Sequence, residues 1–149
     1  MINNFDYTFF VFGFIFILLA IILWNKDNDK KEIFSWKTLS IFAFCFGLTR
    51  WINVFFITFG DSIVEKIIYY FLYFSAFLFL FEFSRRAWQK RFFPFLGRWI
   101  YLIVLVPLIL SYFLNLADSF IILKFSLVFP AALFSGIILL ITYFSNQEK

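Results

Sequence analysis

Long apolar runs separated by short polar stretches dominate the chain. Five stand out, at about Tyr7–Trp24, Leu39–Phe59, Ile63–Phe83, Trp99–Leu116 and Phe120–Phe144. Each covers about 18–25 residues, which at about 1.5 Å of rise per residue crosses the ~30 Å hydrocarbon core of a bilayer. None shows the strict alternation of apolar and polar positions that a lipid-facing barrel strand requires. Backbone groups in lipid find no water to bond, so continuous helices are what such runs form there. The pattern predicts an all-α, polytopic transmembrane helical bundle of about five helices, as one domain over residues 1–149.

The breaks between runs carry turn chemistry. Gly60 can close the second helix in a left-handed cap, and Ser62-x-x-Glu65 matches a capping box that opens the third. Asn115-Leu-Ala-Asp118-Ser119 predicts a second tight hairpin, with Asp118 or Ser119 as the cap of the fifth helix. The first run lacks a preceding basic region and a following small-residue cleavage site, so it reads as a retained span and not as a cleaved signal peptide. No internal repeat and no Gly/Ser-rich or Pro-rich linker divides the chain.

Composition strengthens the membrane reading. The chain is 64% hydrophobic, 27% aromatic and only 15% charged, well above the roughly 45–50% apolar content of soluble domains. The 28 Phe reflect base composition in an AT-rich genome at least as readily as selected aromatic packing. The net charge of +4 is gathered between runs and not on a nucleic-acid-binding face. Lys26, Lys30, Lys31 and Lys37 follow the first run, and Arg85, Arg86, Lys90, Arg91 and Arg98 follow the third. The opposite side holds Lys66 and Lys124 among Asp6, Asp61, Glu65 and Asp118, so the positive-inside rule puts the N-terminus out and the C-terminus in.

Catalytic chemistry is poorly supplied. His is absent and Cys45 is the single cysteine, which removes His-ligated metals and haem, Ser-His catalysis and an intrachain disulfide. The expectation is no enzyme, no metal and no cofactor. Two polar features inside the apolar runs draw attention instead. Arg50 lies near the bilayer centre, where a charge costs about 2.5–3.5 kcal/mol on insertion scales. It should face the bundle interior, with Thr49 and Asn53 beside it and Tyr69, Tyr70, Tyr73 and Ser75 offering oxygens from the third helix. The predicted ligand-binding set is Arg50, Asn53, Thr49, Tyr73 and Ser75. Arg50 then either locks helices together or awaits an anionic or lipid-like ligand. At the other end, Glu82 precedes Arg85 and Arg86 by three and four residues, the favoured order for ion pairs on one helix face. The three mark either an interfacial anchor or a cytoplasmic signal exit. The Trp88–Arg98 stretch beyond them mixes apolar and basic side chains and suits the inner leaflet, where anionic lipid gains about 1 kcal/mol per basic residue.

Pro107 and Pro130 predict kinks in the fourth and fifth helices. Ala131, Ala132, Ser135 and Gly136 form two overlapping small-x-x-x-small pairs, a face for close helix approach within the bundle or in a dimer.

The stretches FFVFGFIFILLAIIL (Phe9–Leu23), FAFCFGLTRWINVFF (Phe42–Phe56) and FLYFSAFLFLFEFSRR (Phe71–Arg86) together resemble the N-terminal multi-helix membrane sensor region of bacterial signalling proteins, the membrane histidine kinases and GGDEF-type diguanylate cyclases. Phe9, Phe10 and Gly13 fit the Phe-Phe-x-x-Gly of the first helix; Phe46, Gly47 and Leu48 fit the Phe-Gly-Leu of the second. Glu82, Phe83, Ser84, Arg85 and Arg86 differ by one small residue from the Glu-Phe-Gly-Arg-Arg that ends the third. Arg50 and Trp51 stand where those regions carry His-Gly, and Val54-Phe55 where they carry an acidic-Trp pair, so the chemistry of those positions does not transfer. The resemblance implies a multi-pass sensor of the bacterial cytoplasmic membrane that relays a ligand or membrane state to a cytoplasmic output domain, on a longer chain or on a partner, as in two-component signalling. The expected partners are the lipid bilayer with its anionic lipids and a second copy or a signalling partner; no nucleic acid is expected. The alternative is a small structural or assembly subunit of a larger membrane complex.

Overall fold

In the computed structural model the described residues are 4–26, 35–59, 63–92, 97, 100–102, 106 and 124–147. Among them the secondary structure is helical, with no strand, and the fold is all-α. Helix α1 spans Asn4–Trp24, α2 Trp36–Phe59 and α3 Ile63–Arg91; a π-helical stretch, Lys124–Val128, runs into α4, Phe129–Gln147. Among the described residues four segments are long and apolar enough to cross a membrane: Tyr7–Trp24, Trp36–Phe55, Ile67–Arg91 and Ser126–Phe144. Large apolar side chains such as Phe14, Ile22, Phe71 and Leu140 stand exposed along them, as lipid allows and water does not. The chain is a membrane protein. The predicted fourth run, with Pro107 and the Asn115–Ser119 hairpin, lies outside the described residues except for Ile100, Tyr101, Leu102 and Val106, which are helical. Gly60 and Ser62 lie outside them as well.

Several helix limits differ from the sequence expectation: α1 begins at Asn4, not Tyr7, and α4 ends at Gln147, not Phe144, and two further differences have a visible cause. Helix α2 begins at Trp36, not Leu39, with Ser35 at the N-cap position: the Ser35 carbonyl accepts from Thr38 N at 3.0 Å and Leu39 N at 3.3 Å, and the Ser35 and Thr38 hydroxyls bond at 2.8 Å. A helix cap draws in residues that hydropathy alone discards. Helix α3 continues from Phe83 to Arg91, so Trp88–Arg91 extend a helix rather than start a separate surface segment. The charged residues there sustain it through i,i+3 and i,i+4 contacts that a hydropathy window does not register.

The chain forms two compact units, 1–79 and 80–149, whose boundary falls inside α3. In the first, α1 and α2 pack closely along an antiparallel seam of small residues. Gly13, Ala20 and Leu23 on α1 and Ser40, Ala43 and Gly47 on α2 are buried, the spacing that lets helix backbones approach. A Cβ on Gly47 would sit 2.9 Å from the Gly13 carbonyl oxygen, and one on Gly13 would collide with the indole of Trp51. Ser40 Oγ donates to the Ala20 carbonyl at 2.6 Å, and Trp51 Nε1 to the Phe10 carbonyl at 3.2 Å. Near one end, Lys26 Nζ lies 3.7 Å above the Trp36 ring. Phe16, Phe42, Phe46 and Phe77 form an aromatic cluster with centroids 4.8–6.5 Å apart, the separation at which edge and face contacts add to burial.

In the second unit, Leu80, Phe81, Phe83, Ser84 and Ala87 form the buried stripe of α3, and Leu127, Ala131, Ser135, Ile138 and Thr142 that of the π-helical stretch and α4. Trp88 Nε1 donates to the Phe134 carbonyl at 3.2 Å, and Arg91 Nη1 to Thr142 Oγ1 at 3.2 Å. The π-helical stretch ends just before Pro130. A proline cannot donate to the carbonyl four residues back and its ring crowds that carbonyl, here on Ser126, so the preceding turn widens. The predicted disturbance at Pro130 takes this form. Ser126 Oγ, in the widened turn, is buried with no hydrogen-bond partner among the described residues. The small-residue face divides: Ala131 and Ser135 are buried, whereas Ala132 and Gly136 are exposed, with nothing within 4 Å of a Cβ on Gly136.

Candidate functional site

Two polar centres stand out among the described residues, one in each unit. The first is Arg50 on α2. Its guanidinium carbon lies 4.6 Å from the centroid of the Phe46 ring and 5.8 Å from that of Phe9. Phe46 is one helical turn before Arg50, and helical side chains lean toward the N-terminus of their helix. Arg50 lies about 14 Å along the axis from the nearer end of α2, at Phe59. Its guanidinium lies between Phe46, at the centre of the 20-residue apolar span Trp36–Phe55, and Phe9, near the start of the apolar span Tyr7–Trp24.

The predicted companions of Arg50 are only partly assembled. Tyr73, buried on α3, lies within electrostatic reach of the guanidinium. Thr49 is buried, but its hydroxyl donates to the Cys45 carbonyl of its own helix at 2.8 Å. The backbone four residues back is its nearest acceptor, the usual resolution for a helical threonine. Asn53 and Ser75 are half-buried, and neither is hydrogen-bonded to Arg50. Among the described residues Arg50 makes no hydrogen bond and no ion pair; its close neighbours are aromatic faces. The predicted polar pocket is, in its observed part, an aromatic seat for a cation.

Two neighbours of this centre escape sequence reasoning, Trp51 and Gly13. Trp51 stacks on Phe10 with ring centroids 5.8 Å apart and covers Gly13. The signal was the pairing of Gly13 with Gly47, readable only once an antiparallel register is chosen.

The second centre is Glu82. Arg85 donates to it through Nε at 2.7 Å and Nη2 at 2.8 Å, Arg86 through Nε at 2.5 Å, and the Tyr101 hydroxyl donates to the same carboxylate. Arg85 also donates to Gln89 Oε1 at 3.1 Å. The side chains of Glu82 and Arg85 are 17% and 10% exposed, that of Arg86 50%. The structure joins the three residues read from sequence and adds Tyr101 and Gln89. A bidentate guanidinium–carboxylate pair with its remaining lone pairs filled is the geometry in which a partly buried ion pair is stable.

A groove of about 350 Å³ lined by Ala20, Ile21, Trp24, Asn25, Ser40, Ile41 and Phe44 lies near the other end of the α1–α2 seam, about 9–15 Å along α2 from Arg50. Its lining is mainly apolar, and its Ser40 hydroxyl is committed to the Ala20 carbonyl. No group of three or more potential metal ligands occurs among the described residues. Comparison with protein families, curated proteins and solved structures finds no match.

Proposed function

We propose that the chain is a membrane sensor module, which binds a ligand or registers a membrane state in its first unit and relays it to a cytoplasmic output domain or partner. The observation that carries this reading is the contrast between an arginine seated on aromatic rings near the middle of α2 and the saturated Glu82 cluster further along the chain. An intramembrane charge is costly, and by default it marks a functional site. Helix α3 contributes Tyr73 to the neighbourhood of Arg50 and Glu82, Arg85 and Arg86 to the cluster. A shift of its register would therefore be felt at both. The basic residues gathered there favour the cytoplasmic side under the positive-inside rule, and a bacterial inner membrane is what the resemblance to sensor regions implies. The chain relays and does not itself catalyse.

The test is a fusion of residues 1–149 to a kinase or cyclase reporter. Reporter activity should respond to membrane additives and lose that response in Arg50→Gln and Glu82→Gln. Output indifferent to substitution at Arg50, Asn53 and Glu82 overturns the reading.

A second reading, a structural or assembly subunit, draws on the exposed Ala132 and Gly136, which leave a flat strip on α4 for another helix. Gentle detergent extraction that yields a stoichiometric companion chain supports it; a self-contained particle supports the sensor.

A further inference from the structure

The depth of Arg50 and its company together specify what would complete it. A guanidinium presents its π faces to aromatic rings and five N–H donors in its own plane. At Arg50 the rings of Phe46 and Phe9 provide the first kind of contact, at 4.6 and 5.8 Å. Among the described residues, nothing provides the second. The same chain shows the complete form at Arg85, where a carboxylate takes two donors and Gln89 a third. The planar fork matches a carboxylate or phosphate, two oxygens against two N–H groups. Phe46 and Phe9 both belong to apolar spans, so in a bilayer the donors beside them would meet lipid and not water.

We propose that Arg50 is the receptor group for an oxyanion, a carboxylate or a phosphate, held within the apolar span against the Phe9 and Phe46 rings. At that depth the oxyanion is best delivered on an apolar tail, with the tail lying along the Phe-rich helix surface. This rests on the sensor reading and names its ligand class; binding is measured without any output domain, so failure to bind and failure to relay are separate results.

The test uses the full chain in phosphatidylcholine nanodiscs, with dodecanoate and dodecyl phosphate as bilayer-borne probes, dodecanol as the uncharged control, and acetate and inorganic phosphate as aqueous probes. Saturable binding of the charged amphiphiles is expected, weakened tenfold or more in Arg50→Gln, less so in Arg50→Lys, and unchanged in Lys37→Gln, which removes an exposed charge from the same helix. Dodecanol should not compete. Competition by acetate or inorganic phosphate that disappears in Arg50→Gln also supports the site and makes water the source of the anion. Solid-state NMR on the unsubstituted chain supplies a readout independent of how any variant folds: dipolar coupling between a 13C-carboxyl probe and guanidinium 15N, lost in Arg50→Lys. Binding to Arg50→Gln within twofold of the unsubstituted chain, equal competition by dodecanol, or no saturable binding overturns the proposal.

Discussion

Arg50 and Arg85 are the same side chain in opposite circumstances. Arg85 donates to Glu82 through two nitrogens and to Gln89, and Glu82 in turn accepts from Arg86 and Tyr101. Arg50 rests on two aromatic rings and makes no ion pair with any described residue. Away from water, a charge that is fully bonded rigidifies its surroundings, while one left short of partners costs free energy. The Glu82 cluster therefore reads as a structural lock and Arg50 as an open position, and stability measurements should separate them.

The largest effect is expected at the lock. Glu82→Ala removes the carboxylate from Arg85, whose side chain is only 10% exposed, and should lower unfolding stability in detergent by about 3 kcal/mol, the low end of the cost of breaking a buried pair. Denaturant titration in mixed micelles measures it; a loss no greater than that of an exposed pair would dissolve the contrast. Next comes the α1–α2 seam, where Gly47→Ala forces a methyl to 2.9 Å from the Gly13 carbonyl oxygen. Overpacking of this kind costs about 1–3 kcal/mol, and the same titration should show it with Gly136→Ala, at an open position, close to neutral.

Smaller again is Trp88→Phe, which keeps a ring beside Phe134 but deletes the donor to its carbonyl. About 0.5–1.5 kcal/mol should be lost, with hydrogen exchange in α4 rising. Arg86→Ala removes a half-exposed partner of Glu82, and a loss of about 0.2–1 kcal/mol, diminished by added salt, is expected. Arg50→Gln should cost least and is expected to leave stability unchanged or raise it, since it deletes a charge with no ion-pair partner among the described residues. A loss as large as that of Glu82→Ala would make Arg50 a lock as well and erase the difference between the two centres.

Much of the fold was legible in the apolar runs, because burial of backbone polar groups in lipid leaves the helix as the solution for a stretch of about 20 apolar residues. That reasoning located α1, the body of α2 and α3, and α4. It stopped short at Ser35 and at Arg91, where capping and charge pairing extend helices past the point at which hydropathy falls. The Glu82–Arg85–Arg86 contact was legible from spacing within one helix. Tyr101 was not, since it reaches Glu82 from another segment of the chain. Thr49 illustrates the reverse error: adjacency to Arg50 suggested a shared pocket, but the Cys45 carbonyl lies closer to its hydroxyl than any guanidinium.

Sequence alone determined that this is an all-α membrane protein, that a cation lies within its second apolar run, and that opposite charges close its third, because each follows from the chain's local period and composition. That the Phe9 ring of α1 comes beside Arg50, that Gly13 and Gly47 bring α1 and α2 together, that Ala131 and Ser135 are covered while Ala132 and Gly136 are not, and that Tyr101 completes Glu82 were decided by tertiary structure. These depend on the register and rotation of one helix against another, where many arrangements of the same apolar surface are nearly equal in energy until side chains interlock.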